Sequence, residues 1–365
     1  METFLQQAIQ RYENATATLD RGDFARSEAL YLECIALFEQ ADGPQSLNAA
    51  NVLTALADLR QQVGDLDGAL QAASQADAIL VALGEDCSGA DPDRVRIRAW
   101  TQTGAICRQH AEYTQAETWI RRALDLATGQ FGADSEEASD ARNELGMLYK
   151  YTAEFEKAEE LYGAALSQLL AQHGEQHSSV AAVYHNLGGL EHARGRFAEG
   201  EPLARRAWEI NRQLLGEDHP TTLADAAAYA GLLDGLERYA ESEPIYRRAM
   251  EGFTALYGEE HYEIAVNLNN LANVRNALGD PQQAEALFHR AIVIKEKILG
   301  PDHPDTGLSL NNLGVMLSQQ GRMAEARRLF RRALRIFRRS LGAGHPKTDL
   351  ARVNLAALRT PRGEH

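Results

Sequence analysis

Apolar and small residues recur along this chain at helical spacing. Segments such as AEFEKAEELYGAAL and GDPQQAEALFHRAI place alanine, leucine and aromatic residues three or four positions apart. Such spacing puts the apolar side chains on one face of a helix, which then buries that face. The pattern predicts an all-α protein.

The helical pattern also returns at a fixed period, and small residues mark it most clearly. One series of small residues has a spacing of 42 throughout, apart from one interval of 47: Ser27, Ala69, Ala116, Ala158, Gly200, Ser242, Ala284 and Ala326. A second series lies twelve positions earlier: Ala15, Ala57, Gly104, Gly146, Gly188, Ala230, Ala272 and Gly314. Small side chains let two helices pack closely, so each unit is predicted to be helix A, a tight turn, helix B and a longer connection.

Glycine follows the second series by seven residues in most units, at Gly22, Gly64, Gly195, Gly279 and Gly321. This spacing fits a turn that ends helix A, where glycine is unstrained. Ala111, Ala153 and Glu237 fill the other three slots, so the turn is expected to vary between units.

Residues 1–365 are predicted to form a single solenoid of eight repeats with a capping helix. The approximate repeats are 8–41, 50–83, 97–130, 139–172, 181–214, 223–256, 265–298 and 307–340, and the cap is 348–359. A lone helix at the end of a stack covers the last apolar face. The 47-residue interval reflects a five-residue insertion in LGEDCSGADPDRV, interpreted as a longer surface loop, or alternatively as a joint or partner contact.

The last full unit reads LGPDHPDTGLSLNNLGVMLSQQGRMAEARRLFRRAL, and LGEDHPTT and LGAGHPKT repeat its first part. These motifs resemble tetratricopeptide repeats (TPRs), and more narrowly the 42-residue repeats of the kinesin light chain family. The resemblance implies a right-handed superhelix whose A helices line a concave groove. The heptad coiled coil that precedes the repeats of kinesin light chains is not found in this sequence, so a motor-subunit role is not expected.

Asparagine recurs in the A helices although it is a mediocre helix former. Asn186, Asn270 and Asn312 share one repeat position, and Asn143, Asn269 and Asn311 share the position before it. The resemblance implies that such asparagines line the groove and bind the backbone of an extended peptide, because an amide both donates and accepts hydrogen bonds. The alternative is that some of them bridge neighbouring helices.

Other polar residues extend this predicted groove. Asn273 and Asn276 follow Asn269 at helical spacing and so share its face. His185 and His192 repeat that geometry, and Lys150 lies on an A helix upstream. A groove mixing amides, imidazoles and positive charge suits a peptide of acidic character, although the cations could equally be ordinary surface charge.

Five histidines also follow the 42-residue period: His177, His219, His261, His303 and His345. Residues tied to the period serve each unit, so they are predicted to shape the connection before helix A, where Pro220, Pro304 or Pro346 suits a first helical turn. Copies one repeat apart cannot converge on one metal ion. No metal site is expected.

An arginine-rich segment near the C-terminus, RRLFRRALRIFRRS, contrasts with the formal net charge of -15. Its candidate residues for an acidic partner are Arg328, Arg331, Arg332, Arg335, Arg338 and Arg339. The patch is interpreted either as a docking site for an acidic protein, a phosphate-rich surface or another copy of the chain, or as the surface of an ordinary basic helix.

Composition and motifs narrow the function classes. The acidic balance disfavours nucleic acid and anionic membranes, and neither a secretory signal nor a membrane span is evident, so a cytoplasmic protein is expected. Phosphate-loop, HExxH, GxSxG and GxGxxG signatures are missing, so no catalytic residue and no cofactor is predicted.

The sequence therefore favours a scaffold or adaptor that binds an extended peptide or partner protein in its groove. Two alternatives remain. One is a sensing or inhibitory subunit of a larger effector, such as a protease or signalling NTPase. The other is a self-assembling solenoid, with homo-oligomers formed through the basic C-terminal helix.

Overall fold

A computed structural model describes residues 2–19, 23–43, 45–84 and 90–358, which form 17 helices and no strand. The first seven helices are α1 (Glu2–Leu19), α2 (Phe24–Asp42), α3 (Leu47–Gln62), α4 (Leu66–Leu83), α5 (Ala90–Gln109), α6 (Tyr113–Phe131) and α7 (Glu136–Tyr151). The other ten are α8 (Phe155–His173), α9 (Ser178–Arg194), α10 (Phe197–Leu215), α11 (Pro220–Gly235), α12 (Tyr239–Tyr257), α13 (Tyr262–Ala277), α14 (Pro281–Leu299), α15 (Pro304–Gln319), α16 (Met323–Ser340) and α17 (Pro346–Ala357).

The helices alternate as the period predicts, with odd-numbered A helices and even-numbered B helices. Eight A–B pairs are followed by the lone A helix α17. The all-α repeat architecture is confirmed. By its internal contacts the chain divides into two compact units, Met1–Leu148 and Tyr149–His365, with the division inside α7.

Small residues lie where paired helices meet within each compact unit. The described members of both small series are buried, and Ser27 Oγ, in the first pair, donates to Ala15 O at 2.9 Å. In the fifth pair, a Cβ built on Gly188 would lie 3.0 Å from the Cβ and 3.1 Å from the backbone N of Ala204. The backbones of α9 and α10 are therefore so close at Gly188 that a larger residue would need the helices to shift.

The turn between helix A and helix B keeps one backbone conformation in every described unit. Gly195 has φ +75°, and the three non-glycine residues in this slot, Ala111, Ala153 and Glu237, have φ between 58° and 64°. The expectation that the turn varies is therefore wrong, because the packing of the helix pair imposes the left-handed conformation even on residues that carry a Cβ. The slot at Gly22 and the inserted residues 85–89 lie outside the described residues.

The periodic histidines explain how the later A helices begin. Each one is the N-cap residue, and its Nδ1 accepts a hydrogen bond from the backbone N–H two residues later. The donors lie 3.1–3.3 Å away, on Ser179, Thr221, Glu263, Asp305 and Lys347. Proline follows three of these histidines at the first helical position, where its missing N–H costs nothing. The predicted structural role of the histidines is confirmed.

Candidate functional site

Within the second compact unit, Tyr149–His365, successive A helices contact one another directly, from α9 through α11, α13 and α15 to α17. Polar side chains link α9 with α11, α13 with α15, and α15 with α17, whereas α11 has alanine at the positions of Asn269 and Asn270. We call the surface formed by α9, α11, α13, α15 and α17 the A-helix face. It contains most of the groove residues predicted from sequence.

Two of the predicted asparagines are buried and link adjacent helices. Asn269 is 4% and Asn311 is 2% exposed. Asn312 Nδ2 donates to Asn269 Oδ1 at 3.5 Å, and Asn354 Nδ2 donates to Asn311 Oδ1 at 3.0 Å. This pair of links forms an amide ladder across α13, α15 and α17.

The neighbouring position is more open. Asn270 and Asn312 are partly exposed, and Asn270 Oδ1 accepts from Asn269 Nδ2 at 3.2 Å. Asn273 is exposed one turn further along α13, and Asn276 Nδ2 donates to Gln319 Oε1 at 3.1 Å. The side chains of Asn270 and Asn312 are therefore bonded to the buried Asn269 and keep part of their surface exposed to solvent.

The upstream asparagines differ in burial. Asn186 on α9 is 5% exposed, and Asn143 on α7 is partly buried. Asn143 belongs to the first unit, so it is not part of the A-helix face of the second unit.

His185 is held by a buried carboxylate. Its Nδ1 donates to Asp225 Oδ1 at 2.7 Å, and Asn211 Nδ2 donates to Asp225 Oδ2 at 2.7 Å. Asp225 is 2% exposed, whereas the His185 side chain is 32% exposed. This chain of hydrogen bonds fixes the orientation of an imidazole ring that reaches the A-helix face.

His192 and Lys150 lie close together at the other end of the A helices. Burial by the surrounding protein and the positive charge of Lys150 lower the pKa of His192. The Lys150 ammonium also lies 5.6 Å from the centre of the Tyr151 ring. At neutral pH Lys150 therefore supplies the positive charge of this pair.

The first turns of α13, α15 and α17 carry charged side chains that sequence reasoning missed. Glu263, Asp305 and Lys347 are the residues whose backbone N–H groups the histidine caps hold. Asp305 Oδ2 accepts a hydrogen bond from Tyr262 Oη at 2.7 Å. Burial acts to raise the pKa of Asp305, but the charges of His303, Lys347 and Lys295 and this hydrogen bond bring it below its ordinary value.

A lysine lies in the core beside them. Lys295 on α14 is 3% exposed, and its Nζ donates to Ser309 Oγ at 3.0 Å and to the Asp305 carbonyl at 3.4 Å. Burial lowers the pKa of Lys295. Lys295 and Asn211 share one repeat position, where the other copies are Phe38, Leu80, Ala127, Leu169, Phe253 and Phe337. A polar residue at an otherwise apolar repeat position is the sequence signal that could have identified both.

The second unit also contains a contact between residues 194 positions apart. His345 Nε2 donates to the Tyr151 carbonyl at 3.0 Å, while its Nδ1 caps α17. The Lys347 ammonium lies 5.8 Å from the centre of the Tyr151 ring. The start of α17 therefore meets the last residue of α7, and the A helices between them curve round to bring these two ends together.

The arginine-rich helix α16 divides its positive charges between pairs and open surface. Arg332 contacts Glu296 Oε1 at 2.6 Å, and Arg339 contacts Asp302 Oδ2 at 3.3 Å. Arg328, Arg331, Arg335 and Arg338 are exposed, and none of the four forms an ion pair with a described residue. We call these four residues the arginine stripe, because their spacing places them along one side of α16.

The succession of helix pairs defines the class as a helical-repeat protein. The tetratricopeptide repeat family model matches residues 5–80, 96–171, 179–255, 222–291, 263–339 and 308–365. The chain belongs to the tetratricopeptide repeat family. A comparison with curated proteins gives no match.

Solved structures share this fold at low sequence identity. A Rap protein complexed with Competence and Sporulation Factor has 12% identity and a TM-score of 0.61, with 98% of each chain covered. NprR in complex with its cognate peptide NprX has 13% identity and a TM-score of 0.57, with 83% of each chain covered. The TPR-like repeats of a putative kinesin light chain from Podosopora anserina have 22% identity and a TM-score of 0.42, and cover 55% of this chain and 94% of that one.

None of the helices in the described residues is long and apolar enough to cross a bilayer.

Proposed function

We propose that this protein is a non-catalytic scaffold that binds an extended peptide or a partner segment on the A-helix face of its second unit. The observation that carries the proposal is the set of exposed and partly exposed amides at Asn270, Asn273 and Asn312, of which Asn270 and Asn312 are bonded to the buried Asn269. An amide can donate to a peptide carbonyl and accept from a peptide N–H without selecting a side chain. NprR, which shares the fold, is in complex with its cognate peptide.

Rigidity supports binding at this position. Asn269 and Asn311 hold neighbouring A helices together, so the amides beside them are presented at fixed separations. A peptide that binds a preformed surface loses less free energy to ordering of the protein. The ladder therefore acts as a support for the exposed amides.

The test is a pull-down from the source cell lysate with the wild-type chain and an Asn270→Ala/Asn312→Ala variant, read by mass spectrometry. A protein captured by the wild type and lost with the variant supports the proposal. A matched control is Gln282→Ala/Gln283→Ala, which removes two exposed amides from α14. Equal capture by a folded Asn270→Ala/Asn312→Ala variant contradicts binding through these amides.

The arginine stripe supports a second contact surface for an acidic partner. Like charges three or four residues apart on a helix destabilise it by about 0.2–0.5 kcal/mol per pair. An acidic partner removes that repulsion. Sedimentation at low and high salt tests whether this partner is a second copy of the acidic chain, because an assembly held by the stripe dissociates as salt rises and does not form in an Arg331→Glu/Arg335→Glu variant.

A further inference from the structure

Glu263 is a carboxylate on the A-helix face to which no described residue donates a side-chain hydrogen bond. It lies in the first turn of α13, and its side chain forms no hydrogen bond or ion pair with any described residue. Val266, Asn270 and Asn273 follow it at three, seven and ten positions, so Glu263 extends the stripe that carries the exposed amides. The carboxylate therefore lies where a peptide bound to those amides would reach.

The equivalent residue in the next A helix is a carboxylate that does accept a hydrogen bond. Asp305 occupies the same repeat position, and the Tyr262 hydroxyl donates to it at 2.7 Å. Its pKa is lowered, whereas burial raises the pKa of Glu263 despite the nearby charges of His185 and Lys295. Folding therefore favours the charged form of Asp305 and disfavours the charged form of Glu263.

A partly buried carboxylate that accepts no hydrogen bond interacts strongly with a cation that reaches it. His185 is held by Asp225 through its Nδ1 and forms no hydrogen bond with Glu263, although its charge acts to lower the pKa of Glu263. Lys295 is not bonded to Glu263 either, because its ammonium is directed to Ser309 and the Asp305 carbonyl. Both oxygens of Glu263 remain available to a ligand.

We propose that Glu263 recognises a cationic nitrogen of the peptide bound on the A-helix face, supplied either by a lysine or arginine side chain or by the peptide's terminal ammonium. The proposal rests on the proposed function and adds a selectivity determinant to it. It runs against the acidic ligand that the sequence favours, since Glu263 lies on the same stripe of α13 as Asn270 and Asn273.

The first test needs no ligand. A carboxyl group whose pKa is raised by folding reduces stability at pH values above that pKa, so Glu263→Gln is expected to raise Tm at neutral pH. The matched comparison is Asp305→Asn, where the pKa is lowered and the expected result is a lower Tm. A fall in Tm for Glu263→Gln would show that the carboxylate is needed by the fold, for instance to balance Lys295, and would overturn the proposal.

The second test measures selectivity with a synthetic library of random dodecapeptides, prepared with free and with acetylated N-termini. The library is passed over immobilised wild-type protein, Glu263→Gln, and the control Glu251→Gln, which removes an exposed charge from α12. Wild type and the control are expected to enrich cationic peptides about tenfold or more over Glu263→Gln, as for a hydrogen bond between charged groups. Enrichment of lysine or arginine in both libraries identifies a side chain as the source, and enrichment confined to the free library identifies the terminal ammonium.

Two negative results are distinguishable. If wild-type protein retains peptides through Asn270 and Asn312 but Glu263→Gln retains the same ones, the cation site is overturned and the proposed function stands. If wild-type protein retains no peptide, both are overturned.

Discussion

A methyl group added to Gly188 should destabilise the protein, whereas the same change at the adjacent Gly189 should stabilise it. Both glycines lie in the middle of α9, so both substitutions gain the helix propensity of alanine, about 1 kcal/mol. They differ in what the new methyl meets. At Gly188 it meets the Cβ and backbone of Ala204 at 3.0–3.3 Å, and at Gly189 it meets only the Lys150 ammonium at 3.3 Å.

The backbone of α10 cannot move aside as a flexible side chain can. Overpacking of this kind typically costs about 1–3 kcal/mol, so Gly188→Ala is expected to lower the free energy of unfolding by up to about 2 kcal/mol after the propensity gain. Lys150 can rotate away at little cost, so Gly189→Ala is expected to raise it by about 0.5–1 kcal/mol. The two variants should therefore differ by roughly 2 kcal/mol.

The assay is thermal and urea unfolding followed by circular dichroism at the helix band. For a unit of this size a difference of about 2 kcal/mol separates the two Tm values by roughly 4–8 °C. Gly163→Ala on α8 is a further control, because nothing lies within 4 Å of its added methyl. If Gly188→Ala and Gly189→Ala had the same Tm, close approach of the paired helices would not be the reason for the small residues.

Three further predictions follow from the turns and the histidine caps. Ala153→Gly should raise Tm slightly. Glycine removes the strain of a left-handed backbone, about 1–2 kcal/mol, which is more than the stability lost because glycine gives the unfolded chain more conformational entropy. An unchanged or lower Tm would mean that the turn is unstrained. His303→Ala should cost about 0.5–2 kcal/mol in urea unfolding by removing the acceptor of the Asp305 N–H, and His303→Asn, a good cap, should recover most of it. Burial lowers the pKa of His345 from its ordinary value of 6.5, so the unfolded chain takes up a proton at a higher pH than the folded chain. Tm should therefore fall as pH drops below about 6.5, and should fall less in His345→Asn. An equal dependence of Tm on pH in the two proteins would refute this.

Much of the fold could be predicted from the sequence because every unit repeats the same packing. The small residues are constrained by a neighbour at the same repeat position in different copies, since an added methyl would meet Ile120 at Gly104, Ala204 at Gly188 and Phe330 at Gly314. The turn at Glu237 could not be predicted, since its residue gives no local preference for a left-handed backbone. There the helix pair overrides the local preference.

The candidate site was only partly predictable for a different reason. The asparagine positions are visible in the sequence, but whether an amide bridges or stays open depends on the distance between neighbouring A helices. Asn311 is bridged by Asn354, whereas Asn273 is exposed. The contact of His345 with Tyr151 depends on the rotation accumulated over five units, and no local pattern encodes it.

Departures from the period separate the residues that maintain the fold from those that can carry selectivity. A residue that is the same before each of the five later A helices, such as the cap at His303, cannot distinguish one part of the A-helix face from another. The position two residues later is Ser179, Thr221, Glu263, Asp305 and Lys347 in successive units, so it changes from neutral to negative to positive along the stack. The histidine caps hold the backbone of all five residues in the same way, so the difference at this position lies in the side chains. Under the proposal made above, a ligand is selected by which of these charges accepts no hydrogen bond from the protein. By that criterion Glu263, whose neighbour Asp305 is already bonded to Tyr262, is the residue on this face best placed to determine what binds.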